Sequence, residues 1–209
     1  MNQTGILNNR TSGAATAARR SFGASICTGV VMVLASCATV DAPYHPVQPG
    51  VHGLEGYSER LLAADRYRVT FAGDAFTSRD TVEGYLLYRS AELTLQQGYD
   101  WFRVIERETE REIRRDLVPD PFYRPWYGPE YPHWRPSWRY YGSRTGWQSW
   151  YPWSSDPFWA SRADMQTVEH FEATAEIVMG RLPMPQDERG VFNARQVVER
   201  LGPTVRRPG

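Results

Sequence analysis

His170, Glu172 and Glu176 are the residues whose types and spacing come nearest to a reactive set. At alternate positions they fall on one face of an extended segment, where side chains two residues apart stand about 7 Å from each other. A metal ion needs three or four converging ligands, so the expectation is a solvated strand face with ion pairs to Arg66 or Arg68 on a neighbour, and no metal. Ser58, in Gly56-Tyr57-Ser58-Glu59-Arg60, has no G-x-S-x-G elbow around it. Only His133 and His170 lie in the body of the chain, and neither is linked by a motif to a Ser or Asp. There is no glycine loop for phosphate and no pair of catalytic carboxylates. The residues therefore predict no catalytic group and no cofactor.

The other candidate is a thiol. Cys27 and Cys37 are the 2 cysteines of the 209-residue chain. Arg10, Arg19 and Arg20 precede an apolar run from Ala24 to Ala35, and the run ends in Leu34-Ala35-Ser36-Cys37. About twelve residues is short of the roughly twenty that a bilayer-spanning helix needs, so the run reads as an export signal. Its end resembles the bacterial lipobox: an apolar residue at −3, two small residues that admit a peptidase, then the Cys whose thiol accepts diacylglycerol. Cleavage is expected between Ser36 and Cys37, with Cys37 lipidated. Each buried methylene is worth about 0.8 kcal/mol, so several acyl chains on one residue hold a protein on its bilayer. Ala38, where some sorting rules look for Asp, points to the periplasmic face of the outer membrane. Loss of the leader leaves no free thiol and no disulfide.

Charge narrows the partners. The precursor is formally neutral, with 24 basic residues, all Arg, against 24 acidic ones; removal of the leader's three arginines takes it to −3. That argues against nucleic acid, which calls for a basic surface.

The elements that must position these residues follow from periodicity. Residues 1–36 are the leader. Residues 37–56, rich in Pro and Gly, read as a flexible tether spanning at most about 60 Å and averaging about 25 Å. Residues 57–118 hold a strand with Tyr67, Val69 and Phe71 on one face, a helix capped by Thr77 with Asp80 and ended by Gly98, and a strand from about Trp101 to Glu108. The helix carries Gly84, Leu87, Tyr88, Ala91 and Leu95 on one stripe and Val82, Leu86 and Leu93 on a second, so it is expected to be covered on more than one side. Residues 161–209 hold the clearest strand, with Phe171, Ala173, Ala175, Ile177 and Met179 on one face. A last helix is capped by Asn193 with Gln196, carries Val197, Val198 and Leu201, and stops at Gly202-Pro203. The fold class expected is α+β: one small domain, a sheet of at least three strands with two helices on one face. Roughly 110 residues outside tether and insertion can sustain its core.

Between these halves lies residues 119–160, an insertion of 42 residues with 15 aromatics, 8 prolines and seven of the eight Trp. Pro at that density argues for irregular structure. Such a segment reads first as a surface loop whose rings collapse on one another without a specific ligand; its rings, flanked by Arg124, Arg135, Arg139 and Arg144, can also stack on sugars, meet a protein surface or rest at a membrane–water interface. The candidate binding surface is therefore Trp126, Tyr127, Trp134, Trp138, Tyr140, Tyr141, Trp147, Trp150 and Trp153.

The blocks Gly56-Tyr57-Ser58-Glu59, Arg66-Tyr67-Arg68-Val69, Tyr85-Leu86-Leu87-Tyr88-Arg89-Ser90-Ala91-Glu92-Leu93-Thr94 and Gly98-Tyr99-Asp100-Trp101-Phe102, with the lipobox, resemble a family of uncharacterised bacterial envelope lipoproteins. The resemblance implies an envelope location and a lipid anchor, and carries over no catalytic residue. The functional expectation is a non-enzymatic, lipid-anchored envelope module with the bilayer as partner through Cys37 and an envelope protein or glycan as partner of the insertion. The alternative is a hydrolase of envelope polymers, with Glu172 and Glu176 meeting Arg in a cleft.

Overall fold

A computed structural model describes residues 43–48, 55–74, 77–105, 125–151, 168–186 and 188–208. Ser36, Cys37 and Trp153 lie outside the described residues. The described residues form a seven-stranded antiparallel sheet with two helices packed against it, the α+β domain expected.

The alternating segments become the centre of the sheet. β1 (Gly56–Ala63) and β2 (Arg66–Asp74) make a hairpin. β2 lies along β6 (Val168–Gly180), with Val69 opposite Ala175 and Phe71 opposite Ala173. β6 is long enough to serve two partners on its other edge. β3 (Trp101–Ile105) pairs with its residues 176–180, and β4 (Ser137–Gly142) with its residues 168–174. Both sets overlap β2's register, so both must lie on the edge that β2 leaves open. The two strands therefore follow each other along β6 with a gap opposite Ala175. β5 (Gly146–Trp150) extends the sheet beyond β4, and β7 (Val191–Asn193) beyond β3.

The odd-numbered face of β6 is the core face. Phe71, Val69, Phe102, Ala173, Ile177 and Met179 are buried there against α1 (Arg79–Gln96). α1 is covered on more than one side, as its two apolar stripes require, with Val82, Leu86, Leu87, Ala91 and Leu93 all buried. Its buried hydroxyls are satisfied within the helix: Ser90 donates to the Leu86 carbonyl at 2.8 Å and Thr94 to that of Ser90 at 2.7 Å. Gly98, at φ 76°, ends it as expected. α2 (Ala194–Leu201) packs beside α1 through Val197 and Leu201, and Asn193 caps it by accepting from the Gln196 N–H at 3.1 Å.

Three expectations need correction. The N-cap of α1 is Ser78, which accepts from the Thr81 N–H at 3.1 Å. Thr77 is buried and turned back to close the β2–α1 turn, its hydroxyl donating to Asp74 Oδ1 at 2.6 Å, so the next hydroxyl takes the cap. The insertion is not irregular throughout, because β4 and β5 form a hairpin that is part of the sheet. Its prolines fall outside the two strands, and Ser137 to Gly142 keep the period of two that Pro density obscures. The stretch 37–56 is not tether throughout either. Tyr44 is buried, the Val47 N–H donates to the Tyr57 carbonyl at 2.9 Å, and Pro46 bridges Tyr57 in parallel with β1. The Tyr57 ring packs 4.8 Å from that of Tyr44.

Candidate functional site

The aromatic residues proposed as a binding surface divide by strand face. Trp138 and Trp150 point to the core side and meet edge to face at 5.1 Å. Trp134 is fully buried and Tyr127, whose hydroxyl donates to the Trp134 carbonyl at 2.5 Å, nearly so. These four rings are core; burial removes Tyr127, Trp134 and Trp150 from any binding surface and leaves Trp138 only as part of the lining of the cleft between β3 and β4. Trp126, Tyr140, Tyr141 and Trp147 are half-buried. Trp126 lies against Gly84 of α1, where a Cβ would come within 3.4 Å of its ring. Tyr141 and Trp147 stand on the opposite, polar face of the sheet, paired across β4 and β5 at 5.5 Å.

That polar face carries the other candidates. Glu176 is held by two arginines of β2. Arg66 Nη2 donates to Oε2 at 2.8 Å, and Arg68 donates to Oε1 through Nη2 at 2.6 Å and Nε at 3.2 Å. Glu172 receives both prongs of Arg139 on β4, at 2.7 and 2.8 Å, a bidentate pair of the strongest kind. The expected ion pairs to Arg66 and Arg68 are thus present, but the face is less solvated than expected: both carboxylates are less than a tenth exposed beneath their arginines. His170 sits in register with Asp74 and Tyr141, away from Glu176, and among the described residues no three metal-ligating side chains come together. Ser58 lies on β1 at one edge of the sheet and His133 beside Gly190 near β7 on the other side, so no nucleophile–base pair forms from them.

The gap between β3 and β4 turns this face into a cleft. Its volume is about 310 Å³, with Val104, Ile105, Ala175 and Trp138 as apolar lining. Hydroxyls of Thr70, Ser137, Ser149 and Thr174, with Arg68, Arg135, Arg139, Glu172 and Glu176, supply the polar lining. Three guanidinium groups face two carboxylates there, leaving an excess of one positive charge in a formally neutral chain. The Arg139 guanidinium also lies 4.1 Å over the Trp147 ring, which fixes the cation between an acid and a π face. Such a lining can hydrogen-bond a polyhydroxyl or carboxylated ligand in several directions while an apolar floor meets its C–H face.

Ser137, Ser149, Thr70 and Thr174 were missed as site residues. The signal was the alternation of Ser137, Arg139 and Tyr141 against Trp138 and Tyr140, which puts the small and charged side chains on one face. No protein-family model matches the chain, and comparison with curated proteins and with solved structures finds no match.

Proposed function

We propose that the chain is a lipid-anchored protein of the bacterial envelope, acylated at Cys37 and held on the periplasmic side of the outer membrane, whose domain binds a ligand and transforms none. What supports the anchor is the register of charge, apolar run and Leu34-Ala35-Ser36-Cys37, together with the resemblance to bacterial lipoproteins. The observation that carries the binding role is the state of the cleft's carboxylates: Glu172 and Glu176 are each locked in guanidinium pairs. A general acid must be free to give up a proton, and a nucleophile must be free to approach carbon. An envelope glycan suits the cleft's hydroxyls, arginines and apolar floor.

The hydrolase reading is favoured by one observation, that both carboxylates line one cleft. Their pairing opposes it, since Arg139 holds Glu172 and Arg66 with Arg68 hold Glu176.

Fatty-acid labelling of cells expressing the wild type or Cys37→Ser, followed by membrane fractionation, tests the anchor. The wild type is expected to carry label and to sediment with membranes, and the variant to lose both. Label retained on Cys37→Ser would overturn the reading.

A further inference from the structure

The polar groups of the cleft divide into those already held and those left open. Arg68 gives two of its nitrogens to Glu176, Arg66 reaches the same carboxylate from outside the lining, and Arg139 gives both prongs to Glu172. The Thr70 and Thr174 hydroxyls meet each other at 3.1 Å. Arg135, Ser137 and Ser149 line the same cleft without a hydrogen bond or ion pair to any described residue. The surplus positive charge of the lining is therefore the one on Arg135, and that side chain is exposed.

What lies behind the open groups holds them in place. Trp134, Pro136 and Trp138 are buried on the core side, so Arg135 and Ser137 between them, with Arg139 beyond, face the cleft. Pro136 also keeps the backbone of Arg135 extended, because its ring crowds helical conformations of the residue before it. Ser137 sits opposite Thr174 of β6, and Ser149 opposite Arg139 across the β4–β5 hairpin. The gap opposite Ala175 lets Val104 and Trp138, whose strand positions point to the core, form part of the floor.

We infer that the cleft takes a carboxylated sugar, with its carboxylate on Arg135 and its hydroxyls on Ser137, Ser149 and the remaining lone pairs of Glu172 and Glu176. This ligand class rests on the cleft's role as a glycan site and narrows glycans to acidic ones. One surplus charge matches one carboxylate, which a guanidinium grips with two parallel N–H bonds. A phosphate monoester carries about −1.5 to −2 at pH 7, so part of its charge would face Glu172 and Glu176 uncompensated. Ionised carboxylates accept and never donate, so the ligand must bring hydroxyl donors as well as its charge. An acyl acid lacks those donors, and a neutral sugar leaves Arg135 unmatched. The cleft's volume of about 310 Å³ lies at the lower end of the roughly 300–1,000 Å³ of small-ligand sites. That is room for a short saccharide with its C–H face on Val104, Ile105 and Trp138.

The test is calorimetric titration of the full chain, purified in a detergent without a sugar headgroup. The probes are cellobiouronate, a disaccharide with a single carboxylate, its neutral methyl ester, and the same disaccharide phosphorylated in place of the carboxylate. The acid is expected to bind about tenfold or more tightly than the ester. Arg135→Gln, on the exposed face and with circular dichroism as in the parent, is expected to remove that preference by weakening the acid alone. Ser137→Ala with Ser149→Ala is expected to weaken acid and ester alike, by about fivefold or more. Equal binding of acid and ester would overturn the inference and leave the cleft a neutral glycan site. An acid preference that survives Arg135→Gln, or tighter binding of the phosphorylated sugar than of the acid, would overturn it too. Binding of none of the three would overturn the glycan-binding role along with it, so the two failures are told apart.

Discussion

Glu83 shows how much one residue's chemistry depends on distant chain. It sits on α1, fully buried, with no hydrogen-bond partner for either carboxylate oxygen and Arg79 Nε 3.8 Å from Oε1. Burial pushes its carboxyl up from 4.5 to about 7, helped by Asp80; Arg79 and the indoles of Trp138 and Trp126 oppose the shift. A carboxyl that binds its proton more tightly folded than unfolded contributes stability that is fully present below the unfolded value and is lost as pH rises through the folded one. The domain should therefore lose stability between about pH 4.5 and pH 7, by on the order of 3 kcal/mol at most. Glu83→Gln keeps the shape without the charge. Urea unfolding is expected to show the variant more stable than wild type at pH 8 by about 1–3 kcal/mol, with the difference vanishing near pH 5. A constant difference across that range would show that Glu83 is not the group responsible. Nothing in the spacing of α1 marks this position as buried, because Trp126 and Trp138 that cover it arrive from some fifty residues later.

At the scale of elements, the hairpin β4–β5 separates what periodicity can show from what composition hides. Alternation in Ser137–Gly142 was present to be read, yet the surrounding prolines argued for a loop. The hairpin's two faces make opposite predictions. Trp138, buried against Trp150 on the core side, should cost about 3–5 kcal/mol when replaced by Ala. Trp147, on the polar face beneath Arg139, should cost no more than about 1 kcal/mol, the worth of an exposed cation–π contact. Chemical denaturation of the two variants measures both; similar losses would mean that the hairpin does not sit as described. β2, β6 and α1 were legible because each buries a continuous apolar stripe, and stripes are local. β7 was not, because three residues carry too little pattern to stand out.

Over the whole molecule, the first and last described stretches close on one another. The Tyr44 N–H donates to the Arg206 carbonyl at 2.7 Å, the Arg206 N–H donates to the Tyr85 hydroxyl at 3.0 Å, and Arg207 reaches the Tyr88 hydroxyl at 3.0 Å. The Tyr44 ring packs edge-on against Tyr85 and Tyr88, and its hydroxyl donates to Glu92 Oε2 at 2.6 Å. Arg89 ties the same carboxylate to Glu59 of β1 while lying 4.4 Å over the Tyr57 ring. Burial and the neighbouring Glu92 carboxylate hold the Tyr44 hydroxyl well above the usual range, so it remains a donor. Tyr44→Ala is expected to lower stability by about 3 kcal/mol through lost packing, and Tyr44→Phe by about 1–3 kcal/mol through the lost bond to a charged acceptor. Denaturation curves, with limited proteolysis around residues 45–48, would check both. If neither variant shifts the midpoint, this stretch is a free tether after all.

The sequence by itself determined the α+β class, the central strands, both helices, the cap of α2 and the glycine that ends α1. Each is written in neighbouring residues, as a period of two or 3.6 or as a capping side chain. Only the tertiary structure decided the fate of the polar and aromatic residues. Arg66 meets Glu176 across 110 positions of chain, and Arg139 meets Glu172 across 33. Periodicity states which face of an element is apolar; it does not state what comes to cover that face or which charges meet on the other. The aromatic insertion, rich enough in rings to suggest a binding surface, spent five of its described rings on the core, and the polar lining of the cleft beside it comes instead from the arginines, hydroxyls and carboxylates of the opposite face.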